Sequence, residues 1–230
     1  IWSSAKQLAD KALLEGSSLT SSRVNYLLGE YFFDRHEFGK TFSYLSAIES
    51  SEALTPKQRD YATLMFGIAL QKSKKHRQAL KVYERIETGS YYYGYAQLNA
   101  AVGFIRQGWW TDAHISIENA LKKTPPDALQ EISNRLLLVL AYSQLQNEFY
   151  RNARETFRKI ALDSIYVNSA LLGIGLCALN QKDYPGAINA FTRLRNIDAS
   201  ELPVLEAHLM LPYTLDLMND TEAAAEGYGE

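Results

Sequence analysis

Cysteine is nearly missing: Cys177 stands alone, so no disulfide can form within the chain and the redox compartment is left open. Proline is scarce too, and Pro56, Pro125, Pro126 and Pro203 fall between helical stretches, where they separate one helix pair from the next. No run approaches the ~20 apolar residues of a membrane-spanning helix. The longest, residues 170–179, has the pattern of a buried helix, so direct membrane insertion is not expected. Neither sign of charge dominates, with 24 Lys and Arg against 26 Asp and Glu. The basic residues gather only at residues 72–77, in a turn, and at Arg151, Arg154, Arg158 and Lys159 along one helix. A phosphate backbone demands a larger basic surface than either, so nucleic acid is not an expected partner.

Chemical motifs are absent as well. The four histidines (His36, His76, His114, His208) are scattered, and none forms a metal-ligand pair at helical spacing. There is no phosphate-binding glycine loop and no nucleophile elbow; Gly173-Ile174-Gly175 lies within a helical pattern. Glu30 with Asp34, and Glu148 with Glu155, read as helix-surface carboxylates rather than acid–base pairs. Cys177, between Leu176 and Ala178, reads as a small buried hydrophobe. No catalytic residue, metal or cofactor is expected, and the chain is not expected to be an enzyme.

What is present is periodicity. A small residue is followed twelve positions later by Ala or Thr, and four positions after that by a large apolar residue. The series is Gly29/Thr41/Leu45, Gly67/Ala79/Tyr83, Ala101/Ala113/Ile117, Ala141/Ala153/Phe157, Gly175/Ala187/Phe191 and, more weakly, Pro212/Ala224/Tyr228. Recurrence over 34 to 40 residues is the signature of a helical repeat array, in which no single unit buries its own apolar face. A mid-helix glycine costs about 1 kcal/mol relative to alanine, which is tolerable where a second helix crosses at close range. The facing contacts are expected at Ala79, Ala113, Ala153 and Ala187, with Tyr83, Phe157 and Phe191 wedged between adjacent units. Ile86, Ala120, Ile160 and Leu194 should close the seam.

A three-residue turn separates the two helices of each unit, as in His36-Glu37-Phe38 and Lys182-Asp183-Tyr184. With Pro185, Gly186, Ala187 and Phe191 following, the latter resembles the tetratricopeptide repeat (TPR), whose consensus carries the small residues, this turn and the A-x₃-F/Y pattern. The consensus Trp early in the first helix is absent, so the array is irregular. The resemblance implies an all-α fold, a right-handed α-α superhelix (solenoid) of TPR-like helix hairpins. It divides residues 1–230 as one array: a half repeat over 1–20, repeats over 21–55, 56–92, 93–127, 128–165 and 166–201, and a partial repeat over 202–230. Ala5, Ala9 and Ala12 repeat the second-helix pattern, so the chain is expected to be a piece of a longer array.

The resemblance also implies an inner groove lined by the first helices. In the N-terminal half its candidates are Tyr26, Glu30, Phe33, Tyr61, Leu64, Ile68, Tyr95, Leu98 and Ile105. In the C-terminal half they are Arg135, Leu138, Tyr142, Leu145, Leu172, Leu176 and Tyr213. Trp109 is expected to point outward as an edge contact, with Trp110 sealing a hairpin core. The function implied is a non-catalytic scaffold that binds a peptide or amphipathic helix of a protein partner. The alternatives are a structural or oligomerisation segment of a larger bacterial envelope or secretion assembly, homo-oligomer contact included, and a regulatory domain of a longer enzyme. Cytoplasm and periplasm are not separated by the sequence.

Overall fold

Helices account for nearly all the regular structure, and no strand occurs among the described residues of the computed structural model. Those residues are 2–49, 51–197 and 201–229, the side chains of 2–6 and 51 excepted, so the side-chain packing expected of Ala5 lies outside them. The chain divides into two compact units, Ile1–Gln130 and Glu131–Glu230.

The first unit contains α1 (Trp2–Glu15), α2 (Ser18–Asp34), α3 (Phe38–Ser46), α4 (Pro56–Lys72), α5 (His76–Tyr83), α6 (Tyr93–Ile105) and α7 (Trp110–Lys123). α8 (Pro126–Gln146) begins here and continues into the second unit. There it is followed by α9 (Tyr150–Phe157), α10 (Val167–Asn180), α11 (Tyr184–Arg195), α12 (Leu202–Leu217) and α13 (Thr221–Gly229). From α2 onward the helices alternate as first and second members of antiparallel hairpins. The prolines do the work expected of them: Pro56 opens α4 behind a Thr55–Gln58 capping box, and Pro203 stands in the first turn of α12.

Every hairpin turns in the same way. His36, Lys74, Gly108, Glu148, Lys182 and Asn219 all have φ near +60° to +75°. In each case the next N–H reaches back five residues to a carbonyl of the first helix, as from Lys75 to Leu70 and from Asp183 to Ala178, both 2.9 Å. This is a Schellman closure, and it holds even though only one of the six residues is glycine.

Glycines set the spacing inside the hairpins, with contacts that differ from the sequence expectation. A Cβ on Gly29 would lie 2.4 Å from Leu45, one on Gly67 2.3 Å from Tyr83, and one on Gly175 2.4 Å from Phe191. The nearest atoms are therefore the large residues sixteen positions on, not the alanines. Tyr83 and Phe191 fill space over their own hairpin's glycine and also pack with the next first helix, Tyr83 with Ala96 and Ala100 of α6 and Phe191 with Val204 and Ala207 of α12. Phe157 reaches the next hairpin most closely: its ring sits 2.2 Å from the ideal Cβ position of Gly173 on α10. Ile86, Ala120, Ile160 and Leu194 are buried at the seams as the pattern required. The last hairpin departs from the series. Tyr228 is exposed, and Gly227 approaches Pro212 in its place.

Candidate partner-binding site

In the first unit, the first helices α2, α4 and α6 bring a layer of tyrosines together. Tyr26 is 5% exposed and donates from its hydroxyl to Glu30 Oε1 at 3.4 Å; burial holds its phenol well above the ordinary range. Tyr61 stacks on Tyr92 with ring centres 5.0 Å apart. Tyr95 stacks on Tyr91 at 6.1 Å, and Lys57 places its ammonium 4.8 Å from the Tyr91 ring centre. Phe33 meets Phe38 edge-on at 6.0 Å. Ile68 and Ile105 are half-buried, as are Tyr61, Tyr95, Phe33 and Glu30. Trp109 is 40% exposed and lies 6.1 Å from Phe104, while Trp110, the first residue of α7, is half-buried.

In the second unit, Leu138, Tyr142, Leu145 and Leu176 are half-buried, and Arg135 and Tyr213 are exposed. The Tyr142 hydroxyl donates to the Ser169 carbonyl at 3.0 Å, its ring meets Phe157 edge-on at 5.0 Å, and burial pushes its phenol up to about 12.

Four residues of the anticipated row offer almost no surface: Tyr26, Leu64, Leu98 and Leu172 are at most 5% exposed. Tyr26, Leu64 and Leu172, each three residues before the small one, pack against the following first helix, whereas Leu138 at the same position is half-buried and Leu209 is exposed. Tyr26 packs with Ala62 and Met65 of α4, Leu64 with Ala96 and Ala100 of α6, and Leu172 with Val204 and Leu211 of α12.

Three features escaped the sequence reading. Tyr92 belongs to the tyrosine layer beside Tyr61 and Tyr95, although only those two were expected in the groove. The signal was a repeated linker: Ile86, Ser90 and Tyr92 recur as Ile160, Ser164 and Tyr166, and Ser90 and Ser164 each accept from the backbone N–H two residues on. Secondly, Asp183 accepts from the Gly186 N–H at 3.1 Å and pairs with Arg154 at 3.0 Å, tying α9 to the next hairpin. Thirdly, Tyr213, an expected groove residue, is part of a longer exposed row on α12 that also takes in Leu202, Leu205, Leu209 and Leu217, each at least 42% accessible.

Cys177 is buried, and that burial pushes its thiol up to about 11, leaving little thiolate near neutral pH. Among the described residues, no three His, Cys, Asp or Glu side chains converge, and no helix is long and apolar enough to cross a membrane.

The family model of the tetratricopeptide repeat matches residues 138–201. No curated protein sequence matches the chain. Among solved structures, a tetratricopeptide repeat protein from Parabacteroides merdae is similar at TM-score 0.70 and 16% identity, over 90% of this chain and 77% of that one. A signal transduction ATPase with a tetratricopeptide repeat sensor from Pyrococcus horikoshii is similar at TM-score 0.73 and 15% identity, over 98% of this chain and 38% of that one. YrrB, described as a TPR protein with an unusual peptide-binding site, is similar at TM-score 0.56 and 16% identity, over 72% of this chain and 81% of that one.

Proposed function

We propose that this chain, a TPR-like helical-repeat protein, is a non-catalytic scaffold whose first helices bind a peptide or amphipathic helix of a protein partner. The observation that carries this reading is the row of half-buried apolar and aromatic side chains on those helices. Ile68, Tyr61, Tyr95 and Ile105 supply it in the first unit, and Leu138, Tyr142, Leu145 and Leu176 in the second. Side chains of this kind, already partly ordered, lose little entropy on binding, and tyrosine combines a large contact area with a polar tip. The peptide-binding site named for YrrB supports the same reading by analogy of fold.

The test is quantitative capture of native partners by the chain and by two variants of matched helicity and melting temperature. One variant carries Ile68→Glu and Ile105→Glu; the other carries Arg135→Glu and Tyr213→Glu. A partner retained by the parent chain and lost by either variant is the expected result. Equal capture by all three would remove the interaction from the first helices.

The exposed row on α12 favours a second reading, a structural or oligomerisation segment of a larger assembly. Light scattering would then show self-association of the parent chain that Leu209→Lys abolishes. A monomer at all concentrations would count against it.

A further inference from the structure

One seam of the first unit stays open where its counterparts close. Ile86, Ala120, Ile160 and Leu194 are buried at their seams, whereas Ile48, at the same offset from Gly29, is only half-buried. The difference lies in the residue opposite. At one matching position of the following first helix stand Tyr93 in α6 and Val204 in α12, both buried. Tyr93 shares a cluster with Ile86, and Val204 shares one with Leu194. Arg59 holds that position in α4 and is exposed. A guanidinium does not close over an apolar seam, because burying an unpaired charge is prohibitive.

What remains is an open cavity of about 420 Å³ between α3, α4 and the end of α5. Leu45, Leu54, Ala62 and Val82 form its buried floor, with Ile48 and Phe66 half-buried beside them. Phe66 is held in place by stacking on Phe42, ring centres 5.2 Å apart. Ser46 and Thr63 also line the cavity, but each hydroxyl donates to a carbonyl of its own helix. Ser46 reaches Ser43 at 3.0 Å, and Thr63 reaches Arg59 at 2.8 Å. The charged side chains of the lining are Arg59 and Arg85, both exposed at the mouth. None of the described residues that line it is acidic.

Floor and mouth select different parts of a ligand. An apolar cavity of ~150 Å³ already accepts benzene, so this one has room for a body of roughly two rings or a medium aliphatic chain. A single side chain of a docked peptide would leave most of that space unfilled. Guanidinium groups bind carboxylates through paired N–H donors and repel cations. A simple inorganic anion has no body to set against the floor.

We propose that this cavity binds a small amphipathic carboxylate, an organic acid with an aromatic or aliphatic body, whose charge is held by Arg59 and Arg85. The site goes beyond the scaffold reading and shares no residue with the row on the first helices.

Isothermal titration calorimetry on the full chain tests this with 2-naphthylacetate and decanoate, each set against its neutral amide and against acetate. At least one acid should bind one-to-one, roughly tenfold or more tighter than its amide, and raise the melting temperature. Acetate should give no heat of binding. Arg59→Gln/Arg85→Gln changes only exposed groups and should weaken the acid by a similar factor with melting unchanged. Thr63→Phe fills the cavity from its edge and should abolish binding with both arginines in place. No binding of either acid, binding no tighter than that of the amide, or affinity unchanged in the arginine variant would overturn the site. Binding of a capped Glu-Leu-Phe-Glu peptide in place of both acids would assign the cavity to a protein segment and overturn it as well. None of these outcomes bears on the scaffold reading.

Discussion

Two junctions in this chain share one linker and are closed by opposite chemistry. From Tyr83 to Tyr92 and from Phe157 to Tyr166 the backbone follows the same course, with Ile, Ser and Tyr at matching positions 74 residues apart. In the first unit the Tyr83 hydroxyl donates to Gln71 Oε1 at 2.9 Å, and Gln71 Nε2 donates to the Asn99 carbonyl at 3.1 Å. In the second unit the two side chains have apolar counterparts at the same offset, Phe157 for Tyr83 and Leu145 for Gln71, and Gly173 stands at the position of Asn99. The Phe157 ring therefore presses onto bare backbone, while Tyr83 is satisfied by a buried amide. A hairpin seam thus tolerates a polar relay or a dry ring-on-glycine contact, provided the whole set changes together. Half of either set leaves a clash or an orphaned polar atom.

The comparison is most easily broken at Gly173. Gly173→Ala places a methyl 2.2 Å from the Phe157 ring and should cost about 3 kcal/mol in urea denaturation. Adding Phe157→Leu should return part of that loss. Asn99→Ala, at the matching position of the first unit, should cost far less because a Cβ is already accommodated there.

Tyr83→Phe should cost about 2 kcal/mol, because it leaves the Gln71 oxygen buried without a donor. The double change Tyr83→Phe with Gln71→Leu recreates the Phe157/Leu145 pair and should recover most of it. A double-mutant cycle measures the coupling, and additive effects would contradict the relay. Burial raises the Tyr83 phenol above its usual value, so the neutral form favours the folded state. Stability is full below pH ~10 and falls as pH rises beyond it; Tyr83→Phe should flatten that alkaline decline.

Smaller effects are expected at the turns. Asp183→Ala removes the cap on Gly186 and should cost about 1 kcal/mol. Gly186→Ala should do the same indirectly, since its Cβ would fall 2.4 Å from the Asp183 carboxylate. Lys182→Gly or Lys74→Gly should instead stabilise by about 0.5 kcal/mol, because a left-handed backbone strains any side chain with a Cβ. Thermal melting of each single variant checks all four.

The helical architecture was legible in the sequence because hairpin packing repeats the same residue types at fixed spacing. Gly29, Gly67 and Gly175 marked the close crossings, and the turns fell where the small-residue series required. What the sequence could not disclose was the neighbour at each glycine. Twelve- and sixteen-residue separations both return to it from the second helix, and only packing decides that Tyr83 and not Ala79 is nearest. The tyrosine layer was half legible for a related reason. A helical pattern shows that Tyr26, Tyr61 and Tyr95 share a face, but how much the next first helix covers depends on seam geometry. That cover leaves Tyr61 accessible and removes Tyr26 and Leu64.

The central claim, that partners engage the first helices, is tested most directly by site-specific photo-crosslinking in cells. A benzophenone amino acid would replace Ile68, Ile105 or Leu138 on the first helices, and Lys81 or Arg158 just beyond Leu80 and Phe157 on the opposite side of their hairpins. The account predicts protein adducts at the first three positions, several-fold above those at the last two. Equal adducts at all five, or adducts at Lys81 and Arg158 alone, would contradict it.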